Sequence, residues 1–308
     1  MKIVFMGTPD FAVAPLRILL DSGRDVAAVV TQPDKPRGRG ENVVFSPVKV
    51  FSIERGIRVL QFDRISAEGE NALREIAPDL MITAAYGQIL SQKIIDVPPF
   101  GIINVHASLL PKYRGAAPIQ GAVINGEKIT GVTIMKTERG LDSGDILLQK
   151  AIAINDGETA GELSCRLSKL GAEALLEAVK LIESGKAVYT KQNDEAATYF
   201  KTIKKEDARI DFSKSPVGIV DFVNGMNPSP TAFFDLNGQN VKVFKAALFE
   251  EAKGLSPDSA DGQIVLADAK NGLVASCGGG RAVRLCEIQF PNGKKMKDTE
   301  YLRGHSII

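Results

Sequence analysis

"MKIVFMGTPDFAVAPLRILL" (residues 1–20) is the stretch from which the fold class can be read. Residues 2–6 form a short apolar run closed by Gly7, the pattern of a strand buried on both faces of a parallel sheet. Asp10 is placed to cap the helix that follows, with apolar residues at 11, 12, 15, 16, 19 and 20 on one face. That helix is expected to end near Gly23. The turn between them, Gly7-Thr8-Pro9-Asp10-Phe11, lacks the GxGxxG spacing with which a first strand and helix hold a dinucleotide. Gly38-Arg39-Gly40 does not supply it, because Val43 stands where a third glycine is needed. A nicotinamide enzyme is therefore disfavoured.

The alternation continues outward. "VAAVVT" (26–31), "LMITAAY" (80–86) and "GIINVHA" (101–107) are further buried strands, and Ser46-Pro47 reads as N-cap and first residue of a helix reaching about Gly56. Repeated strand–helix units predict an α/β fold: a doubly wound, Rossmann-like, mostly parallel sheet with right-handed crossovers. Ligands of such sheets bind outside the carboxyl ends of the strands. Two extended segments, about 130–136 and 146–154, flank "TERGLDSGD" (137–145). Thr159 and Glu162 form a capping box that opens a long helix to about Gly185. Residues 190–205 are polar and read as a linker. Beyond 206 the segments are short, apolar and broken by "LNG", "KNG", "CGGGR" and "PNG", which predicts a small C-terminal β barrel or sandwich. The expected division is 1–189, a linker 190–205, and 206–308.

Composition narrows the function classes. The 308 residues are 44% hydrophobic and 24% charged, as in an ordinary globular protein, and no run of 18 apolar residues predicts a membrane span. The net charge of +1 means that any nucleic-acid contact must come from a local patch. The apolar run at the N-terminus is too short for a secretory signal. Cys165, Cys277 and Cys286 form no CxxC, so they are expected to be reduced and the protein cytoplasmic. With two histidines and no cysteine beside either, no metal site is expected.

The chemistry concentrates in "INVHASLLPKYRGAAP" (103–118). Asn104 and His106 lie on one face of a strand, about 7 Å apart. Both can donate to a developing oxygen anion. Asp142, in the glycine-flanked turn "GLDSGD", can approach them in space. Amide, imidazole and carboxylate together suit acyl transfer to an amine. Singly, each has a plainer reading: a structural histidine, a turn aspartate, a loop-capping asparagine.

"NVHASLLPKYRGAAPIQ" (104–120) with "GLDSGDIL" (140–147) resembles the formyltransferase family that uses 10-formyltetrahydrofolate. "FMGTPDFA" (5–12) and "TQPDKPRGRGENVVFSPVK" (31–49) resemble those members that act on initiator methionyl-tRNA, and the likeness covers nearly the whole chain. It implies that Asn104, His106 and Asp142 are the catalytic trio and that Ser108, Leu109, Leu110 and Pro111 line the folate site. It implies that 10-formyltetrahydrofolate is a co-substrate; no metal, no membrane and a monomer are the accompanying expectations. It also implies that the loop bearing Lys35, Arg37 and Arg39 meets the tRNA acceptor end, and that the C-terminal domain is an RNA-binding barrel of the oligonucleotide-binding type. Lys204 and Lys205 are further candidates for tRNA contact. An acceptor that is a small amine, a nucleotide sugar or glycinamide ribonucleotide, is the alternative, and a non-catalytic RNA-binding relative is the contrasting class. The chain departs from the family at "FVNGMNPSPTAFF" (222–234): Ser229 stands for the usual tryptophan and Thr231 for the usual glycine.

Overall fold

The computed structural model describes residues 1–36, 43–249 and 259–307. The chain forms two compact units: residues 1–115, 129–153 and 164–200 make the first, and 116–128, 154–163 and 201–308 the second.

In the first unit the opening run is strand β1 (Lys2–Gly7), followed by helix α1 (Val13–Asp21) and β2 (Asp25–Thr31). Asp10 does not cap α1. It begins a 3-10 turn, Asp10–Ala12, whose N-cap is Pro9, and the Pro9 carbonyl accepts from the Ala12 N–H at 2.9 Å. Gly7 serves close packing: a Cβ there would lie 2.7 Å from Ala12 Cβ. A two-residue ribbon, β3 (Lys35–Pro36) with β4 (Val43–Val44), precedes α2 (Pro47–Glu54). Ser46 caps α2 as expected, its hydroxyl accepting from the Lys49 N–H. Then come β5 (Val59–Gln61), α3 (Ile65–Ile76), β6 (Leu80–Ala84), α4 (Gln92–Ile95) and β7 (Ile102–His106).

After α5 (Pro118–Ile124), which belongs to the second unit, β8 (Ile129–Lys136) and β9 (Ile146–Ala153) complete a seven-stranded sheet in the order β5-β2-β1-β6-β7-β8-β9. The first five of these run parallel, while β8 and β9 are antiparallel additions. Every residue of β6 is buried, as befits a strand covered on both faces, whereas the edge strand β9 is half exposed along its length. Helix α6 (Ala160–Glu183) follows, and within the first unit it lies against β7 and β8 at Gly171, where a Cβ would come 2.9 Å from Val105. That contact fixes the strand carrying Asn104 and His106.

The capping box at the start of α6 is present. The Glu162 carboxylate accepts from the Thr159 N–H and hydroxyl at 2.9 and 2.8 Å, and the Thr159 hydroxyl accepts from the Glu162 N–H at 3.3 Å. These bonds hold the Glu162 carboxyl below its usual range. Thr159→Ala is expected to cost about 1 kcal/mol, read as a lowered urea midpoint at unchanged m-value.

The second unit holds α7 (Pro216–Gly225), β10 (Ala232–Leu236), β11 (Gln239–Leu248), β12 (Ile264–Asp268), β13 (Gly272–Cys277), β14 (Arg281–Gln289), β15 (Met296–Lys297) and α8 (Asp298–Leu302). The strands form an antiparallel sheet in the order β10-β11-β14-β13-β12, with β15 on β14, around a core that includes Ile219, Phe234, Val243 and Leu285. The turn signals fall where the strands reverse: Asn237 and Gly238 both have positive φ, the geometry a tight hairpin needs. Thr231 holds φ at +73°, and its hydroxyl donates to the Pro228 carbonyl at 2.8 Å.

Candidate active site

Strand β7 lies between β6 and β8, with Thr83 opposite Asn104 and Thr133 opposite His106. Asn104 Oδ1 accepts a 2.9 Å hydrogen bond from Thr83 Oγ1. That bond orients the amide, so both N–H groups of Nδ2 face the other way. His106 is buried, and its Nε2 lies 3.0 Å from the Tyr113 carbonyl. A carbonyl only accepts, so Nε2 carries a hydrogen and Nδ1 is the ring atom left to exchange a proton. Nδ1 faces Asp142 Oδ2 at 3.7 Å. The carboxylate is itself aimed, since Oδ2 accepts from the Gly115 N–H at 2.8 Å. The gap exceeds a hydrogen bond, as catalytic contacts often do before substrate closes the site. His106 and Asp142 thus face each other at the carboxyl end of β7, and Asn104 stands two residues back on the same strand.

The segment Ser108–Pro111 follows directly. Ser108 and Leu110 are buried, Leu109 and Pro111 half-buried. The Ser108 hydroxyl is spent internally, donating to the Lys112 carbonyl at 2.7 Å. Two residues missed in the sequence shape this segment. Thr133 Oγ1 donates to the Ser108 carbonyl at 2.7 Å and accepts from the Leu110 N–H at 3.1 Å. Gln149 Nε2 donates to the Leu110 carbonyl at 2.9 Å and to Thr133 Oγ1 at 2.8 Å. A threonine inside the buried run "ITGVTIMK" was the available signal.

Large apolar side chains exposed in this unit include Ile89, after β6, at 89%, Val188 at 76% and Leu141, next to Asp142, at 63%. Among the described residues no His, Cys, Asp or Glu group is arranged to hold a metal ion.

The remaining candidates are less defined. Lys35 is placed by its backbone in β3, while Arg37 and Arg39 lie outside the described residues. Lys204 and Lys205 are exposed in the second unit; Lys204 Nζ sits 3.9 Å from Glu206, and its N–H donates to the Asp207 carboxylate at 2.8 Å. No helix among the described residues is long and apolar enough to cross a membrane.

A Rossmann-like sheet with amide, imidazole and carboxylate on and beside one strand is an arrangement that suits group transfer. Residues 1–179 match the family model for formyl transferase, and 202–306 the model for the formyl transferase C-terminal domain, so the chain belongs to the formyl transferase family. It is 47% identical over 309 residues to a methionyl-tRNA formyltransferase from Acetivibrio thermocellus, covering 100% of this chain and 97% of that one. The N-formyltransferase from Helicobacter canadensis, solved with folinic acid and dTDP-3-aminofucose, superposes with a TM-score of 0.69 at 19% identity, over 96% of this chain and 100% of that one. HypX from Aquifex aeolicus, in complex with tetrahydrofolic acid, gives 0.64 at 18% identity, over 98% of this chain and 47% of that one. The two structural likenesses establish a shared fold.

Proposed function

We propose that the chain transfers the formyl group of 10-formyltetrahydrofolate to the α-amino group of methionine on initiator methionyl-tRNA. The carrying observation is His106 facing Asp142 at the end of the strand that also bears Asn104, in a chain matched over its whole length by a methionyl-tRNA formyltransferase. In the reaction the amine nitrogen attacks the formyl carbon, and the carbonyl oxygen becomes an anion. The free N–H groups of Asn104 Nδ2 donate to it. The amine must lose a proton, and N10 of the folate must gain one as its bond to the formyl carbon breaks. His106 Nδ1 takes the first proton and returns it to N10, because Nε2 is held by the Tyr113 carbonyl. While protonated, the ring places positive charge beside the oxyanion. Asp142, 3.7 Å away, offsets that charge and holds the ring's orientation without itself being protonated. The products, an N-formyl amine and tetrahydrofolate, balance.

In this reading Ser108, Leu109, Leu110 and Pro111 form one wall of the folate site. Residues 1–189 carry the chemistry and 206–308 hold tRNA, with Lys35, Arg37, Arg39, Lys204 and Lys205 gripping phosphates. The decisive assay is transfer of labelled formyl from 10-formyltetrahydrofolate to charged initiator tRNA, with nucleotide-sugar and glycinamide amines as competing acceptors. Transfer to a small amine in preference to the tRNA would overturn the acceptor assignment.

Arg39→Ala is expected to raise KM for the tRNA while leaving KM for the folate unchanged. The salt dependence of log KM should flatten by about one unit of slope, the signature of one lost phosphate contact. Unchanged kinetics at limiting tRNA would remove Arg39 from the interface.

A further inference from the structure

Both residues that address the His106 ring have backbones in the left-handed region: Tyr113 at φ +59° and Asp142 at φ +49°. Bulky or functional residues stay in that region only where their surroundings hold them. One segment holds both, the polar stretch 192–200, whose polarity in the sequence suggested connecting chain. Gln192 Nε2 donates to the carbonyls of Asp142 and Gly144 at 2.9 and 2.7 Å. Its Oε1 accepts from Arg114 Nε and Nη2 at 3.1 and 2.8 Å. The carboxamide is therefore fully used, which fixes which end faces the turn.

Arg114 is 3% exposed and Gln192 5%. A buried guanidinium is costly unless paired, and Arg114 pairs with Asp194 at 2.7 Å and reaches the Tyr199 hydroxyl at 3.3 Å. On the other side of the ring, the Tyr113 N–H donates to Thr198 Oγ1 at 2.8 Å, and the Arg114 N–H to the Thr198 carbonyl at 2.8 Å. The Phe200 N–H donates back to the Arg114 carbonyl at 2.8 Å. Gly115, whose N–H aims Asp142, has φ +113°, and a Cβ there would lie 2.5 Å from the Phe200 carbonyl oxygen.

We infer that residues 192–200 are a positioning strap for the catalytic trio: Gln192 sets the Asp142 carboxylate against Nδ1, and Thr198 sets the Tyr113 carbonyl against Nε2. This rests on the catalytic reading of His106 and Asp142. Gln192 and Thr198 are positioning residues, since neither touches the imidazole.

Two variants of the full chain test it. Gln192→Glu keeps an acceptor for Arg114 but removes both donors to the 142–144 turn. Thr198→Val removes only a hydroxyl and keeps the backbone bonds. With two histidines in the chain, the ring nitrogens of His106 can be followed by ¹⁵N NMR. The expected result is that Gln192→Glu moves the Nδ1 signal and leaves Nε2, while Thr198→Val moves Nε2. In each, kcat falls about 10- to 100-fold, the cost of a misplacement on the order of 1 Å, with KM for tRNA and folate unchanged. Ring signals unmoved in Thr198→Val and in folded Gln192→Glu would overturn the strap, whatever the turnover. Ring signals that move while kcat stays at the parent value would uphold the strap and overturn the catalytic role of His106. Should Gln192→Glu fail to fold, Thr198→Val alone decides.

Discussion

Replacing His106 with alanine is expected to lower kcat by about 100- to 1000-fold or more while the chain still folds. The loss is large because the ring serves twice, as the proton carrier through Nδ1 and as a positive charge beside the oxyanion. The fold survives because β7 is held by backbone ladders to β6 and β8, not by the imidazole. The side-chain hydrogen bond given up is that from Nε2 to the Tyr113 carbonyl. Asn104→Ala should cost about 2.7–4 kcal/mol of transition-state stabilisation, the value of one oxyanion donor, and should leave KM for the folate in place. The double variant should be little worse than His106→Ala, since groups acting on one transition state are not additive. Steady-state kinetics with saturating tRNA, alongside circular dichroism, separate chemistry from folding. Near-parental turnover in His106→Ala would remove the histidine from the mechanism.

The strand holding Asn104 and His106, the Ser46 cap and the Thr159/Glu162 box were legible because each is local: a run of apolar residues, or partners three positions apart. The tight hairpin at Asn237-Gly238 was legible for the same reason. Asp142 was legible only as a residue able to approach, since 36 positions separate it from His106 and no periodicity spans them. The strap was not legible. Gln192 and Thr198 address backbone carbonyls and an N–H group, which carry no residue-type signature. Their polar neighbours made the segment look solvated. The antiparallel turn of β8 and β9 could have been inferred, because nine residues (137–145) are too few for a parallel crossover. Asp10 misled because a 3-10 turn, Asp10–Ala12, intervenes before α1 and leaves Ala12 at the helix's N-cap.

Asp298→Ala is expected to destabilise the second unit by about 3 kcal/mol. Asp298 is 1% exposed. Its Oδ2 accepts from Arg284 Nε at 2.7 Å and from the Leu273 N–H at 3.0 Å, and its Oδ1 from Arg284 Nη2 at 3.0 Å and the Thr299 N–H at 2.8 Å. One carboxylate thus joins β13, β14 and the start of α8, and its hydrogen bond to Arg284 holds that guanidinium above its ordinary range. Removing it orphans the buried Leu273 N–H and leaves the Arg284 guanidinium without its carboxylate. The cost falls at the lower end for broken buried pairs because the Arg284 side chain is one-third exposed (33%) and can regain water. The site tolerates no added bulk either: a Cβ on Gly272, at φ +83°, would lie 2.1 Å from Asp298 Oδ2, so Gly272→Ala should be comparably damaging. The melting transition of the second unit should fall by roughly 10 °C in Asp298→Ala. In Asp298→Asn, which retains one acceptor but not the charge, it should fall by about half as much. The deficit should persist in molar salt, since a buried pair is little screened whereas a surface pair would lose its contribution. A deficit that vanished in salt would mean that the pair acts through the solvent and does not fasten the three elements.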